Sequence, residues 1–132
     1  MRRQFALPEA DEKFLDSLGL PWETVIFNTA QWLILHNYCV PSGYNHTQTF
    51  LAVRISPGYP DTQLDMVYFS PPLARADGKV IGALTTLMLD GKTYQQWSRH
   101  RTGANPWRPG EDDLSTHVEL VRHWLEREFN KR

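Results

Sequence analysis

One cysteine, Cys39, stands in a chain of 132 residues. It excludes an internal disulfide framework and suits a reducing compartment. Positive charge is also in short supply, with 14 basic residues against 15 acidic ones and a net charge of −1. Arg99, His100, Arg101 and Arg108 therefore do not read as a nucleic-acid contact, which ordinarily rests on a basic excess. No apolar run approaches the ~20 residues that cross a bilayer. The basic start Met1-Arg2-Arg3-Gln4-Phe5 lacks the apolar stretch that follows in a signal peptide. The expectation is a soluble, cytoplasmic protein with no membrane partner. Chemical signatures are missing too: there is no Gly-rich phosphate loop, His-Glu-x-x-His helix or Gly-x-Ser-x-Gly elbow. His36-x-x-Cys39 lacks the further ligands of a zinc site. No cofactor and no metal are expected.

What is present describes a folded protein. Hydrophobic residues make up 41% and charged residues 22%, ordinary globular usage, and the length fits one domain over residues 1–132. Pro8 to Leu18 reads as a first helix: Pro8 suits the first turn, Glu9, Asp11 and Glu12 favour its positive end, and Gly19 can cap the other. Phe14, Leu15 and Leu18 form its apolar face. Trp22–Phe27 and Gln31–His36 are strands joined by a turn at Asn28-Thr29-Ala30. Thr49, Leu51, Val53 and Ile55 alternate with Phe50, Ala52, Arg54 and Ser56, the period of a third strand. A fourth runs from Met66 to Phe69 and stops at Pro71-Pro72, which cannot donate to a ladder.

Ala74 to Gly110 shows weak periodicity and three turn-formers, Asp77-Gly78, Asp90-Gly91 and Thr102-Gly103. It reads as a long ordered loop with short helical or extended pieces, anchored by Tyr94, Trp97 and Trp107. Leu114, Val118, Val121, Leu125 and Phe129 recur at helical spacing, with Trp124 widening the stripe. Asp112 or Asp113 is the expected cap, and Lys131 and Arg132 sit at the negative end of the dipole. The expected fold is α+β: an N-terminal helix, a four-stranded antiparallel sheet, a long ordered loop and a C-terminal helix.

The strand order, the Tyr59-Pro60 turn, the prolines after the fourth strand and Trp107-Arg108-Pro109 before a helix resemble the ubiquitin-conjugating enzyme fold, from Leu7 to Phe129. Leu7-Pro8-Glu9-Ala10-Asp11, Trp32-Leu33-Ile34-Leu35-His36, Pro71 to Gly78, Gln96-Trp97-Ser98-Arg99-His100-Arg101 and Trp107-Arg108-Pro109-Gly110 are similar to one bacterial branch, the prokaryotic family E of ubiquitin-conjugating-like proteins. The resemblance implies a carrier that accepts the C-terminus of a ubiquitin-like protein from an adenylating activating enzyme, in operons that also hold a peptidase and are associated with defence against phage. The alternative it implies is a non-catalytic conjugating-enzyme variant that binds the tag or the activating enzyme.

The chain departs from the classical pattern, which has a His-Pro-Asn triplet before a catalytic cysteine. Met88-Leu89-Asp90 falls roughly where the triplet would, and an Asp90 carboxylate cannot donate as the asparagine does. Ser98 precedes Trp107 by nine positions, a spacing that resembles the family's nucleophile. Ser98 is thus the expected carrier, through an oxygen ester, with Asn105 a candidate oxyanion donor. Serine needs a base. His100 lies on the same side as Ser98 if the segment is extended, and His117 on the last helix is the alternative. The plainer readings stand beside these: Ser-x-His is common, Arg99-His100-Arg101 suits a solvated face, and a helix-edge histidine usually packs or caps. Cys39 follows the second strand, away from the catalytic loop, and reads as a small buried apolar group rather than a nucleophile.

Overall fold

The computed structural model describes residues 1–130. Helix α1 (Glu9–Ser17) precedes strands β1 (Trp22–Phe27), β2 (Ala30–Cys39), β3 (Gln48–Ile55) and β4 (Val67–Ser70). Then come β5 (Leu84–Leu89), β6 (Lys92–Trp97) and helix α2 (Leu114–Arg127), which ends in a 3₁₀ turn over Glu128–Asn130. Lys131 and Arg132 lie outside the described residues.

The sheet has six strands, not four, in the order β1-β2-β3-β4-β6-β5, each pair antiparallel. The extra pair is a hairpin inside the segment read as a loop. Its turn is Asp90-Gly91, with φ of 53° and 76°. Both central residues are left-handed, as a two-residue hairpin turn of this hand requires. The flanks Leu84–Leu89 and Lys92–Trp97 alternate weakly because the second sheet face is only partly covered, so the turn was the stronger signal.

Helices α1 and α2 cover one face. Leu33, Leu35, Leu51, Val53, Val67, Phe69 and Trp97 meet Leu15, Leu114, Val118, Val121 and Leu125 there. Leu18, expected on the apolar face of α1, is partly exposed because the helix stops at Ser17 and leaves it at the C-cap. The other face is concave: Val25, Trp32, Ile34, Ala52, Tyr68, Leu89 and Tyr94 form a second buried cluster without a helix. It is closed by the curl of the sheet, which brings the β5–β6 turn over to the N-terminus. Arg2 donates to Asp90 Oδ1 at 2.9 Å and pairs with Glu23 of β1 at 2.9 Å. The Arg2 guanidinium holds the Glu23 carboxyl down to about 2.

Asp113 is the cap of α2: its carboxylate accepts from Thr116 N at 3.2 Å, and Thr116 Oγ1 accepts from Asp113 N at 3.0 Å. Asp113→Ala is expected to lower stability by about 1 kcal/mol, read as a shifted urea midpoint at unchanged slope. An unshifted midpoint would remove the cap from the account of this helix.

Candidate functional site

Ser98 is the first residue after β6. Its amide donates to Ala83 O at 3.0 Å, extending the β5–β6 ladder by one pair. Arg99 N then turns back to Trp97 O at 3.0 Å, so the chain bends at Ser98 in a three-residue turn. The extended conformation that would align Ser98 with His100 is absent, and no hydrogen bond joins them among the described residues. Ser98 Oγ is half-buried, and its partner is Gln96 Nε2 at 3.4 Å. That amide also reaches Met66 Sδ at 3.6 Å.

His100 is held by a residue that sequence reasoning missed. Its Nδ1 lies 2.7 Å from Asp65 Oδ2, while the imidazole remains 63% exposed. Asp65 Oδ2 accepts from Nδ1–H in the tautomer that this contact favours, and no hydrogen bond reaches Nε2 among the described residues. Asp65 Oδ1 is buried without a partner among the described residues. Asp65 and Met66 line an open groove of about 390 Å³ with Arg54, Ser56, Pro57, Thr62, Gln63 and Tyr68. Gln96 links Ser98 to Met66 on the lining of that groove.

Two left-handed residues that are not glycine bracket this bend, Met66 at φ 60° and Ala83 at φ 55°. Ala83 O receives Ser98 N, and Met66 N donates to Arg99 O at 3.1 Å. An L side chain in that region costs about 1 kcal/mol, and such strain gathers at functional sites.

Arg99 and Arg101 are structural, not a solvated basic face. Arg99 pairs with buried Glu128 at 2.9 Å and donates to Gly82 O at 3.1 Å. Arg101, 4% exposed at its side chain, donates to Leu64 O at 3.2 Å and stacks on Trp107 with its Cζ 4.6 Å from the ring centre. Trp107 Nε1 donates to Pro60 O at 3.1 Å, which ties the Trp-x-Pro segment to the Tyr-Pro turn.

His117 does face the segment after Ser98, but it has no nitrogen left to act as the alternative base. It is fully buried; Nε2 donates to Met66 O at 2.9 Å and Nδ1 accepts from Arg101 Nη2 at 3.2 Å. Burial pushes its pKa down to about 4. It also packs on the helix-covered face, whereas Ser98 shares the other face with Gln96.

Asn105 is exposed in a turn where its backbone amide donates to Thr102 O at 3.0 Å, and no hydrogen bond joins its side chain to Ser98 among the described residues. Asp90 is not at the site: it is the hairpin turn, at the far end of β6 from Ser98, roughly 20 Å along the strand. Cys39 is exposed rather than buried, at the end of β2 beside Gln48. That end of the sheet is the one opposite Ser98, because Phe50 pairs with Ser70 while Trp97 pairs with Val67. Among the described residues no cluster of His, Cys, Asp and Glu is placed to hold a metal, and no helix is long and apolar enough to cross a membrane.

The model of prokaryotic E2 family E matches residues 7–128 of the chain, nearly its whole length, and the chain belongs to that family. No curated protein and no solved structure matches it.

Proposed function

We propose that this member of prokaryotic E2 family E is the conjugating carrier of a bacterial ubiquitin-like pathway, with its transfer centre where β6 ends. Its partners are an adenylating activating enzyme, a ubiquitin-like protein and a peptidase, and the pathway serves defence against phage. Ser98 Oγ attacks the thioester that holds the tag on the activating enzyme. The C–O ester bond forms as the hydroxyl proton moves to a base, the C–S bond breaks, and the departing sulfur leaves as a thiolate that can take that proton back. An acceptor amine then attacks the ester carbonyl, its proton moves to that base, and the base returns it to the departing Ser98 oxygen, which leaves as the hydroxyl. His100 is that base and Asp65 its orienter.

The observation that supports this reading is the Asp65–His100 pair. An imidazole with Nδ1 anchored at 2.7 Å, and with no hydrogen bond at Nε2 among the described residues, stands two residues from Ser98, and its partner Asp65 lines a groove. Base and orienter in that relation are the usual means of activating a nucleophile. Mixing the protein with activating enzyme, tag and ATP should give an adduct that resists thiol reductant and is cleaved by alkali. The adduct should vanish in Ser98→Ala; its survival there at full yield removes Ser98 from the mechanism.

One observation favours the non-catalytic variant instead: among the described residues Ser98 Oγ hydrogen-bonds to Gln96 alone, both nitrogens of His117 are engaged, and no hydrogen bond joins His100 to Ser98. Tag binding without any covalent adduct, under conditions where the activating enzyme is itself charged, would establish that reading.

A further inference from the structure

The two edges of the sheet are treated differently. The outer edge of β1 is closed by the N-terminal segment: Thr24 N donates to Arg2 O at 3.1 Å, Gln4 N to Thr24 O at 2.9 Å, and Ile26 N to Gln4 Oε1 at 2.6 Å. The outer edge of β5 has no such cover. Ser98 N binds Ala83 O and Leu89 pairs with Lys92 at the hairpin turn, so residues 83, 85, 87 and 89 direct their backbone groups to β6. Leu84, Thr86 and Met88 direct theirs outward, and no hydrogen bond reaches them among the described residues. The usual protections of an edge are missing as well. Ile81–Leu89 contains no charge and no proline, the β5–β6 register has no bulge, and Thr85, Thr86 and Met88 are exposed.

Polarity of the edge selects its occupant. A strand added antiparallel to β5 runs in the same direction as β6. Its C-terminal end therefore emerges beside Ala83, at the end of the sheet where Ser98 sits. Lateral separation from β6 is two strand spacings, about 10 Å, which two or three further residues span. Self-pairing of two copies is the competing occupant. A six-residue edge is roughly 20 Å long, so such a pairing buries on the order of 400 Å², well under the ~1,000 Å² of a stable interface. A short tail on a transiently bound protein needs no more than that.

We infer that the outer edge of β5 takes the extended C-terminal segment of the ubiquitin-like protein as a seventh, antiparallel strand, main chain to main chain through Leu84, Thr86 and Met88, and so delivers its terminal carbonyl to Ser98. This rests on the conjugating reading above and adds how the tag is aligned. Strand addition of this kind draws affinity from backbone bonds and tolerates varied side chains.

Amide hydrogen exchange on the full chain tests it, using the ubiquitin-like protein accepted in the charging assay and the same protein lacking its last six residues. The amides of Leu84, Thr86 and Met88 should slow at least tenfold with the full-length tag and not with the truncated one. Thr86→Pro removes one outward donor without touching the β6 ladder, and should slow charging at limiting tag about tenfold; Thr85→Pro, which breaks the ladder, reports misfolding. A tag that is bound or charged while these amides exchange unchanged overturns the edge assignment and leaves the conjugating reading standing. Protection that grows with the protein's own concentration, without tag, overturns it in favour of self-pairing. Neither binding nor adduct under any condition ends both.

Discussion

His100→Ala should slow transfer of the tag from the charged protein to an amine by on the order of a hundred- to ten-thousandfold, the span that a positioned acid–base group contributes. The imidazole is 63% exposed and touches the rest of the molecule through Asp65, so its removal should leave the thermal midpoint nearly unchanged. Asp65→Asn isolates the orienting role. An amide in place of the carboxylate no longer accepts the Nδ1 proton with charge assistance, so the ring loses its preferred tautomer and Nε2 its constant direction. Single-turnover discharge to a small amine, set beside the thermal midpoint, separates the two roles. Asp65→Asn should lower the discharge rate at a nearly unchanged midpoint, whereas a merely structural aspartate would lower the midpoint and leave the rate in place. Full discharge rates in His100→Ala would sink the assignment of the base.

The second large effect is on stability, through His117. Its folded pKa of about 4 lies below the ordinary 6.5, because burial penalises the imidazolium and Arg101 already supplies a cation at Nδ1. The unfolded chain therefore takes up a proton near pH 6.5 that the folded chain refuses until about pH 4. Stability is fully present above pH 6.5, falls as pH drops, and levels off below the folded value. The loss is about 2 kcal/mol by pH 5 and about 3 kcal/mol in all. Carboxylates held down by partners, such as Glu23 near 2, lose their contributions at lower pH and do not mask this window. His117→Gln supplies an N–H donor and an oxygen acceptor in a similar volume but does not titrate. Urea midpoints should therefore fall between pH 7 and 5 in the natural protein and stay nearly level in the variant. His117→Ala, which leaves Met66 O and Arg101 short of partners and opens a cavity, should cost about 3 kcal/mol at pH 7. Parallel pH curves for the natural protein and His117→Gln would show that the histidine is not the titrating group.

Those two histidines also mark where reading the chain succeeds and where it stops. His100 and His117 were both visible as candidate bases near Ser98, since residue type and spacing are local facts. Which of them is free was not visible. Asp65 is 35 positions from His100 and Met66 is 51 from His117, and nothing in Leu64-Asp65-Met66 announces either contact. The hairpin is a different kind of failure. Asp90-Gly91 is a strong turn signal, but the strands beside it face a concave surface only half covered, so their alternation is diluted by Thr85, Thr86, Gln95 and Gln96. Asp90 was matched to the lost triplet by linear position, and the hairpin carries it to the opposite end of the sheet. Cys39 was read as buried because thiols usually are; Tyr38 and Val40 on either side of it pack toward the helix-covered core, so alternation turns Cys39 to the opposite face, where the thiol stays in solvent.

By itself the chain specified what depends on neighbours within a few residues: the amphipathic stripe of α2 and its aspartate cap, the alternation of β3, the stop at Pro71-Pro72, and the family to which residues 7–128 belong. Only the tertiary structure decided which side chains meet. A sheet that curls and a chain that bends at Ser98 bring Asp65 to His100 and bury His117, while the outer edge of β5 remains unpaired. Contacts across 35 or 51 positions follow from packing, and the short-range periodicity that makes elements legible carries no record of them.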